Sequence, residues 1–534
     1  MTAPTTIDTV IVGAGFAGLY MLHRLRNQNT GAVVLEAGGG IGGTWYWNRY
    51  PGARVDIESQ EYGYSFSSAL DEEWRWSERY APQSEILAYL EHVAKKFDLK
   101  RDIRFNTRVT AAHWNEQAKR WHVVTDKGDN FAARALIMAT GCLSIPKDPD
   151  FPGVGDFQGK SYFTSRWPHE QVDFTGQNVA VIGTGSSAVQ SIPVIAKQAK
   201  HLTVFQRTPN YTVPAHNHKA DPAIEELWKL NRPRFRSQAL ANNSGVRQID
   251  PQERLLSATP PAEVEAIFEE RWSKRGGFAV LGGFADTGID ENSNKAAHEF
   301  FAKKIRSIVK DPKVADMLTP KTYPVGTKRL CVDIGYWETY NRANVTLIDV
   351  SKAPIERITK TGIRTASGEH AFDTIVYAIG FDAMTGALTK IDLVGKNGLK
   401  IKDKWAHGPK TYLGLSIAGF PNLFTITGPQ SPSVLTNMPP SIEHHVDWIA
   451  RALSDLDARK KQTLEATEAA EEAWVAHINE LGAMTLMAKA NSWYMGANIP
   501  GKPRTFLPYV GGVPAYRQKC AEVVANGYEG FVLG

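Results

Sequence analysis

Apolar runs and glycines alternate along this chain in an order that points to one class of fold. Residues 9–12 form a short, β-branched apolar run. They lead straight into Gly13-Ala14-Gly15-Phe16-Ala17-Gly18, and residues 19–28 then carry apolar side chains at helical intervals. A short apolar run bounded by glycine reads as a buried strand, and the spacing after it as a helix. A second strand, residues 32–36, ends on Glu36. The same order returns at residues 178–182, followed by Gly183-Thr184-Gly185-Ser186-Ser187-Ala188 and a helical run to Lys200. Its second strand, residues 202–205, ends on Gln206-Arg207-Thr208.

The remaining pattern is more mixed. Residues 85–97 have the spacing of an amphipathic helix, and residues 103–109, 121–124 and 135–138 read as strands. A proline cluster at residues 146–152 reads as a linker. Residues 215–322 break the alternation with charged helical segments at 224–232, 262–275 and 295–310. Strands resume at 345–349 and 374–378, a strand with a Gly-Pro stop lies within 421–429, and one long helical stretch is expected from 441 to 489. Strands alternating with helices mean an α/β fold with parallel sheets.

The two glycine turns carry the chemistry. In each, G-x-G-x-x-G/A sits between a strand and a helix, where a pyrophosphate can approach the backbone and meet the helix N-terminus. In the first, an acid stands about 20 residues further on, where it hydrogen-bonds a ribose hydroxyl and repels a 2′-phosphate. That half should hold FAD or NAD. In the second, Arg207 takes the place of the acid, and a cation there accommodates a 2′-phosphate. That half should prefer NADPH. Two such sites side by side pass a hydride between two rings. Between them lies the stretch 42–56, with Gly42-Gly43, then Trp45, Tyr46 and Trp47, then Tyr50-Pro51-Gly52, and finally Asp56. The glycines let the backbone come close to a flat or phosphorylated ligand, and the turn re-aims the chain so that Asp56 faces it.

Composition narrows the function classes. Of 534 residues, 43% are hydrophobic and 22% charged, which is ordinary for a globular protein. The net charge of +5 is dispersed, so no nucleic-acid partner is expected. Cys142, Cys331 and Cys520 stand far apart, against a disulfide framework and a CxxC redox pair. His444-His445 lacks a nearby third ligand, so no metal site is expected. The first residues have no basic start and enter a strand at once, and no apolar run is long enough to span a bilayer. A cytoplasmic monomer is expected.

Taken together, these segments resemble a type I Baeyer–Villiger monooxygenase over nearly the full chain. The pattern [AG]GxWxxxx[FY]P[GM]xxxD is matched in full from Gly42 to Asp56. Both dinucleotide turns flank an FxGxxxHxxxW-like motif at Phe157, Gly159 and Trp167, and residues 326–330 and 492–503 also look like the family. The flow of segments is closest to the phenylacetone monooxygenase-like branch. One position departs: the motif histidine is Phe163 here, which cannot make an imidazole's hydrogen bonds or carry its charge.

The resemblance implies an FAD-binding domain at residues 1–141 and 377–534, an NADP-binding domain at 142–214 and 325–376, and a helical insertion at 215–324. It implies that NADPH reduces FAD, that O2 adds to the flavin, and that the resulting peroxyanion attacks a small apolar ketone to give an ester or lactone. Arg329 is implied to stabilise the peroxyanion, with Asp56 setting its position. FAD contacts are implied for Gly13, Gly15, Phe16, Ala17, Gly18, Glu36, Gly43, Thr44, Trp45, Tyr46, Val55, Asp56, Tyr62, Val109 and Met438. NADP(H) contacts are implied for Gly183, Thr184, Gly185, Ser186, Ser187, Ala188, Gln190, Arg207, Thr208, Lys328, Arg329 and Trp493. Residues 430–438, with Val434, Leu435 and Met438, are implied to border the ketone. Competing readings are an N- or S-oxygenating flavin monooxygenase, a flavin disulfide reductase, a poorly coupled NADPH oxidase, and a cofactor-binding module without turnover.

Overall fold

A computed structural model describes residues 3–534, so the first two residues of the expected 1–141 segment lie outside it. The larger of its two main sheets has eight strands. At its centre Thr5–Val12 lies between Asn130–Met138 and Ala32–Leu35, parallel to both. Val10 and Ile11 are fully buried, as a parallel strand covered on both faces requires. The helix Phe16–Asn27 covers one face and packs against the long helix Met438–Ala458, where Tyr20 donates to Asp447 at 2.9 Å. The second main sheet is parallel, in the order Val345–Asp349, His201–Gln206, Asn178–Ile182, Thr374–Tyr377, Lys160–Phe163.

Two expectations need correction. Residues 103–109 are not one strand: Ile103–Arg104 pairs beside Ala32–Leu35, and Val109–Asn115 joins the sheet on its far side. Asn106 breaks the run, with φ of 52° and its N–H bonded to the Gly38 carbonyl at 2.9 Å. Nor is 441–489 one helix. Met438–Ala458 ends before Lys460, which has φ of 53°, and Leu464–Ala466 pairs antiparallel with Phe531–Leu533. A new helix, Glu468–Ala483, starts from Thr467, whose hydroxyl caps Ala470 N–H.

The insertion carries the helices Pro222–Leu240, Pro261–Glu270, Glu291–Ile308 and Pro312–Leu318. Asp221, Asp290 and Asp311 cap three of them, and three begin with proline at the first turn, where its missing N–H costs nothing. Glu61 ties this insertion to the first sheet's layer. Its buried carboxylate accepts the backbone N–H groups of Arg247 at 2.8 Å and Gln248 at 3.2 Å. Asn437 donates to the Glu61 carbonyl at 2.6 Å, so three distant segments meet at one residue.

Burial, with smaller opposing contributions from those bonds, pushes the Glu61 pKa up to about 7 from an ordinary 4.5. The folded protein then holds a proton that the unfolded chain releases. Glu61 thus contributes stability that is full below pH 4.5 and lost as pH rises to about 7. Glu61→Gln cannot ionise. Its stability relative to the parent chain rises by up to about 3 kcal/mol between pH 4.5 and pH 8, at about 1.4 kcal/mol per pKa unit. Thermal unfolding across that range checks this, and a flat difference would remove Glu61 as the titrating group.

Candidate active site

A cavity of about 440 Å³ runs along the carboxyl ends of the first sheet's strands and opens toward the second. Its floor is the first glycine turn. A Cβ on Gly18 would stand 1.8 Å from the Gly13 carbonyl oxygen, so only glycine lets the helix close against the strand. Gly42 N–H donates to the Ala14 carbonyl at 2.9 Å. Gly43, at φ of 54°, would place a Cβ 3.0 Å from Gly15 Cα. The 42–43 turn therefore lies flat against the fingerprint, leaving bare backbone toward the cavity.

Glu36 is buried in that wall and accepts the N–H groups of Ala14 and Gly38, each at 2.7 Å. Burial raises its pKa, and the two N–H bonds pull it back. Each carboxylate oxygen keeps a lone pair for a ribose diol, the fit expected of a dinucleotide without a 2′-phosphate.

Tyr50-Pro51-Gly52 brings the two halves together. Tyr50 donates to the Gln190 side chain at 2.8 Å, and Gln190 donates to the Arg54 carbonyl at 3.1 Å. Gly52, at φ of 84°, would drive a Cβ to 2.3 Å from the Gln190 carbonyl oxygen. The helix Ser186–Gln198 of the second fold is thus clipped onto the turn that precedes Asp56. Asp56 then meets Arg329. Nε donates to Oδ2 at 2.7 Å and Nη2 to Oδ1 at 2.9 Å, while Nη1 donates to the Val434 carbonyl at 2.8 Å. The Phe278 ring, from the insertion, lies 4.9 Å from the guanidinium. Burial works against the Arg329 charge, but Asp56 and then Tyr494 outweigh it, so the pKa stays above even arginine's usual range.

The cavity gathers Gly13, Gly15, Phe16, Ala17, Glu36, Gly43, Thr44, Trp45, Val55, Asp56, Tyr62, Val109, Ser186, Ser187, Gln190, Arg329, Met438 and Trp493. It does not gather Gly18 or Ala188, which are packed beneath their turns, nor Gly183, Thr184 and Gly185. Tyr46 also stands apart from the cavity lining. Its ring packs on Gly38 and Gly40 and beside His169 at 4.9 Å, because its hydroxyl accepts the Gly39 N–H at 3.0 Å.

Arg207, Thr208 and Lys328 form a separate group at the end of the second sheet. Thr184 donates to the Thr208 carbonyl at 2.8 Å, and Tyr323 donates to the Pro209 carbonyl at 2.8 Å. Lys328 Nζ sits 4.4 Å from the Tyr323 ring centre. Burial, then the Arg207 charge, lowers the Lys328 pKa. Lys147 is lowered by the same two causes, so three cations converge where the sequence offered two. A Cβ at Gly185 would meet nothing within 4 Å, which leaves the second turn open for a pyrophosphate beside those cations. Both folds therefore fit the dinucleotides expected of them.

Phe163 lies outside the cavity. It stacks on Tyr377 at 4.9 Å, with the Arg166 guanidinium 4.3 Å from its ring. His445 accepts the Thr427 N–H at 2.9 Å and pairs with the Tyr516 hydroxyl at 2.8 Å, so both ring nitrogens are in use. The cysteines are free and buried, and burial pushes Cys142 up to about 11 and Cys331 and Cys520 up to about 12. No thiolate is available for disulfide exchange. Among the described residues, no helix is long and apolar enough to cross a membrane. Sequence reading missed the Val434 carbonyl, Phe278, Lys147 and Tyr494. Only Tyr494 left a signal, as the neighbour of Trp493.

Residues 10–270 match the family described as pyridine nucleotide-disulphide oxidoreductase. A Baeyer-Villiger monooxygenase from Pseudooceanicola batsensis is 42% identical over 534 residues, covering 99% of this chain and 97% of that protein. The solved structure of an oxidized steroid monooxygenase bound to NADP is 49% identical, covers 99% of each chain and superposes with a TM-score of 0.95. A solved OTEMO complex with FAD and NADP is 40% identical, covers 100% of both chains and superposes with a TM-score of 0.96.

Removing Asp56 leaves the Arg329 charge in a partly buried site with no carboxylate facing it. Asp56→Ala costs about 2–3 kcal/mol of stability, short of the fully buried case because each side chain is 26% exposed. The loss in Asp56→Ala/Arg329→Ala is smaller than the sum of the two single losses by more than about 1 kcal/mol. Denaturant unfolding of the four chains measures this coupling, and simple additivity would show the pair contributes nothing.

Proposed function

The chain belongs to the Baeyer–Villiger monooxygenase family, and on that premise we propose that it uses NADPH, O2 and FAD to insert one oxygen next to the carbonyl of a small apolar ketone. The bidentate Asp56–Arg329 pair, lying in one cavity that reaches both dinucleotide turns, is the observation that carries this reading. When bound, FAD reduced by NADPH supplies the electrons that activate O2 for insertion, and an ester or lactone results.

Each part of the chain has a defined task. Residues 1–141 and 377–534 hold FAD, with the turn Gly13–Gly18 against the pyrophosphate and Glu36 on the ribose. Residues 142–214 and 325–376 hold NADPH, with Arg207, Thr208 and Lys328 on the 2′-phosphate and Trp493 beside the nicotinamide. Residues 215–324 cap the site from above. Arg329 holds negative charge on the activated oxygen. A guanidinium suits this task because it stays charged, keeps a fixed donor geometry and gives up no proton. Asp56 fixes that guanidinium in orientation. Val434, Leu435 and Met438 present apolar surface to the ketone. The enzyme is taken to act as a cytoplasmic monomer.

Arg329→Ala separates the two half-reactions. NADPH bleaches the bound flavin at close to the parent rate without oxygen, but ester formation falls at least a thousandfold, the range for removing a preorganised charge from a developing oxyanion. Ester or lactone is quantified against hydrogen peroxide per NADPH consumed, with phenylacetone, an aliphatic 2-ketone and cyclohexanone. Retained ester formation would remove Arg329 from this role. Peroxide alone from the parent chain with every ketone would favour the NADPH oxidase reading.

Arg207→Ala raises KM for NADPH about 10- to 100-fold, the loss of one charge-assisted contact. KM for NADH changes less than threefold. Equal losses with both cofactors would place Arg207 away from the 2′-phosphate.

A further inference from the structure

Three of the eight large apolar side chains that stand exposed among the described residues lie in the first half of one helix, Pro222–Leu240 of the insertion. Ile224 is 50% exposed, Leu227 55%, and Leu230, the most exposed of the eight, 74%. The opposite face of this helix is fixed. Trp228, Arg232 and Ala239 are buried. Arg232 Nη1 donates to Glu72 at 3.1 Å and Arg236 Nη2 to Asp71 at 2.9 Å, which commits the cations of that face to residues 71–72.

The outer face has no such commitments. Ala223, Glu226, Leu227, Leu230, Pro233 and Arg234 are all exposed. At 3.6 residues per turn they form one stripe, each within about 60° of Leu230 around the helix axis. The ion pairs of this helix are those of Arg232 and Arg236; among the described residues, Glu226 and Arg234 have no partner in the chain. Exposed apolar surface rimmed by charge marks a contact site.

The order of residues says what fits there. Glu226 stands four positions before Leu230 and Arg234 four after it, while Leu227 stands three before and Pro233 three after. Turning a second copy of the helix end for end about Leu230 lays Glu226 against Arg234 of that copy, Leu227 against Pro233, and Leu230 against itself. A parallel alignment would set glutamate on glutamate and arginine on arginine. A two-fold contact requires this self-complementarity, and an unrelated partner does not.

We propose that the outer face of Pro222–Leu240 is a two-fold contact between two copies of this chain, with the helices antiparallel across Leu230. The contact is one helix wide, at the small end of the range for specific interfaces, so the pairing is weak and depends on concentration. It leaves the reaction alone: Asp56, Arg329 and both dinucleotide turns of each site come from a single chain, and the monomer stays the acting unit.

Sedimentation velocity of the FAD-loaded protein at physiological salt, from about 1 to about 200 μM, tests this. The parent chain passes from monomer to dimer across that range. The two-fold axis applies each substitution twice, so Glu226→Arg alone and Arg234→Glu alone each weaken pairing at least tenfold. Mixed in equal amounts, the two variants restore it to within threefold of the parent, because every contact across the axis is again between opposite charges. Leu230→Asp weakens pairing at least tenfold and is not rescued by either. All of these positions are exposed, so thermal unfolding and NADPH consumption per chain match the parent in every variant. A parent chain that stays monomeric throughout would overturn the proposal and leave the stripe to a different protein. A parent dimer unaffected by the single variants, or variants that stay apart when mixed, would equally overturn it.

Discussion

Asp56 and Arg329 lie 273 positions apart in the chain, and the architecture around them is arranged to let them meet. Taking two charges partly out of water costs more than a loose contact returns, so such a pair persists only with good geometry and further hydrogen bonds. Both conditions hold. The contact is bidentate, and the Val434 carbonyl takes a third guanidinium donor. An ion pair of this kind is a poor device for stability but a good one for fixing a cation at a set position. Gln190 clipping the turn before Asp56, and Phe278 reaching in from the insertion, serve the same end. The three regions of the chain each contribute one side of a single guanidinium's surroundings.

The two dinucleotide folds share a plan and differ in charge. The first ends its second strand on Glu36, which sits buried on two backbone N–H groups. The second ends on Arg207, exposed and near Lys328 and Lys147. The contrast follows from where the charge is used. A carboxylate that reads a ribose diol is built into the wall and must be satisfied before the ligand arrives. Cations gathered at one place carry a cost in burial and mutual repulsion that an arriving anion would relieve. Burial, and then repulsion from Arg207, lowers the pKa values of Lys328 and Lys147.

Much of this was legible in the sequence, for a physical reason. Glycine turns between strand and helix are local, so the residues that make them are adjacent and their spacing survives in one dimension. The Gly42–Asp56 stretch is equally local, and it names Asp56 without any knowledge of its partner. What the sequence hid was either backbone or context. The Val434 carbonyl carries no side-chain signature. Phe278 belongs to an insertion whose spacing says only that it is helical. Tyr46 stood in a run of aromatics, and nothing in one dimension shows which plate faces inward; its hydroxyl bond to Gly39 turns it out. Leu464–Ala466 is short, and only its pairing with Phe531–Leu533 makes it a strand.

The phenylalanine at position 163 fits this division between local chemistry and assembly. A catalytic imidazole would have to reach the cavity, and Phe163 lies on the edge strand of the second sheet, away from it. Here the ring stacks on Tyr377, from the neighbouring strand, and supports Arg166 from below. Arg166 in turn reaches Asp148 in the proline-rich linker at 2.9 Å. An aromatic face can hold a guanidinium through its quadrupole without any proton to give or take. This exposed ion pair is one of several ties on the linker, which also donates from Lys147 N–H to the Gly380 carbonyl at 3.0 Å and accepts the Ile358 N–H at the Pro152 carbonyl at 2.8 Å.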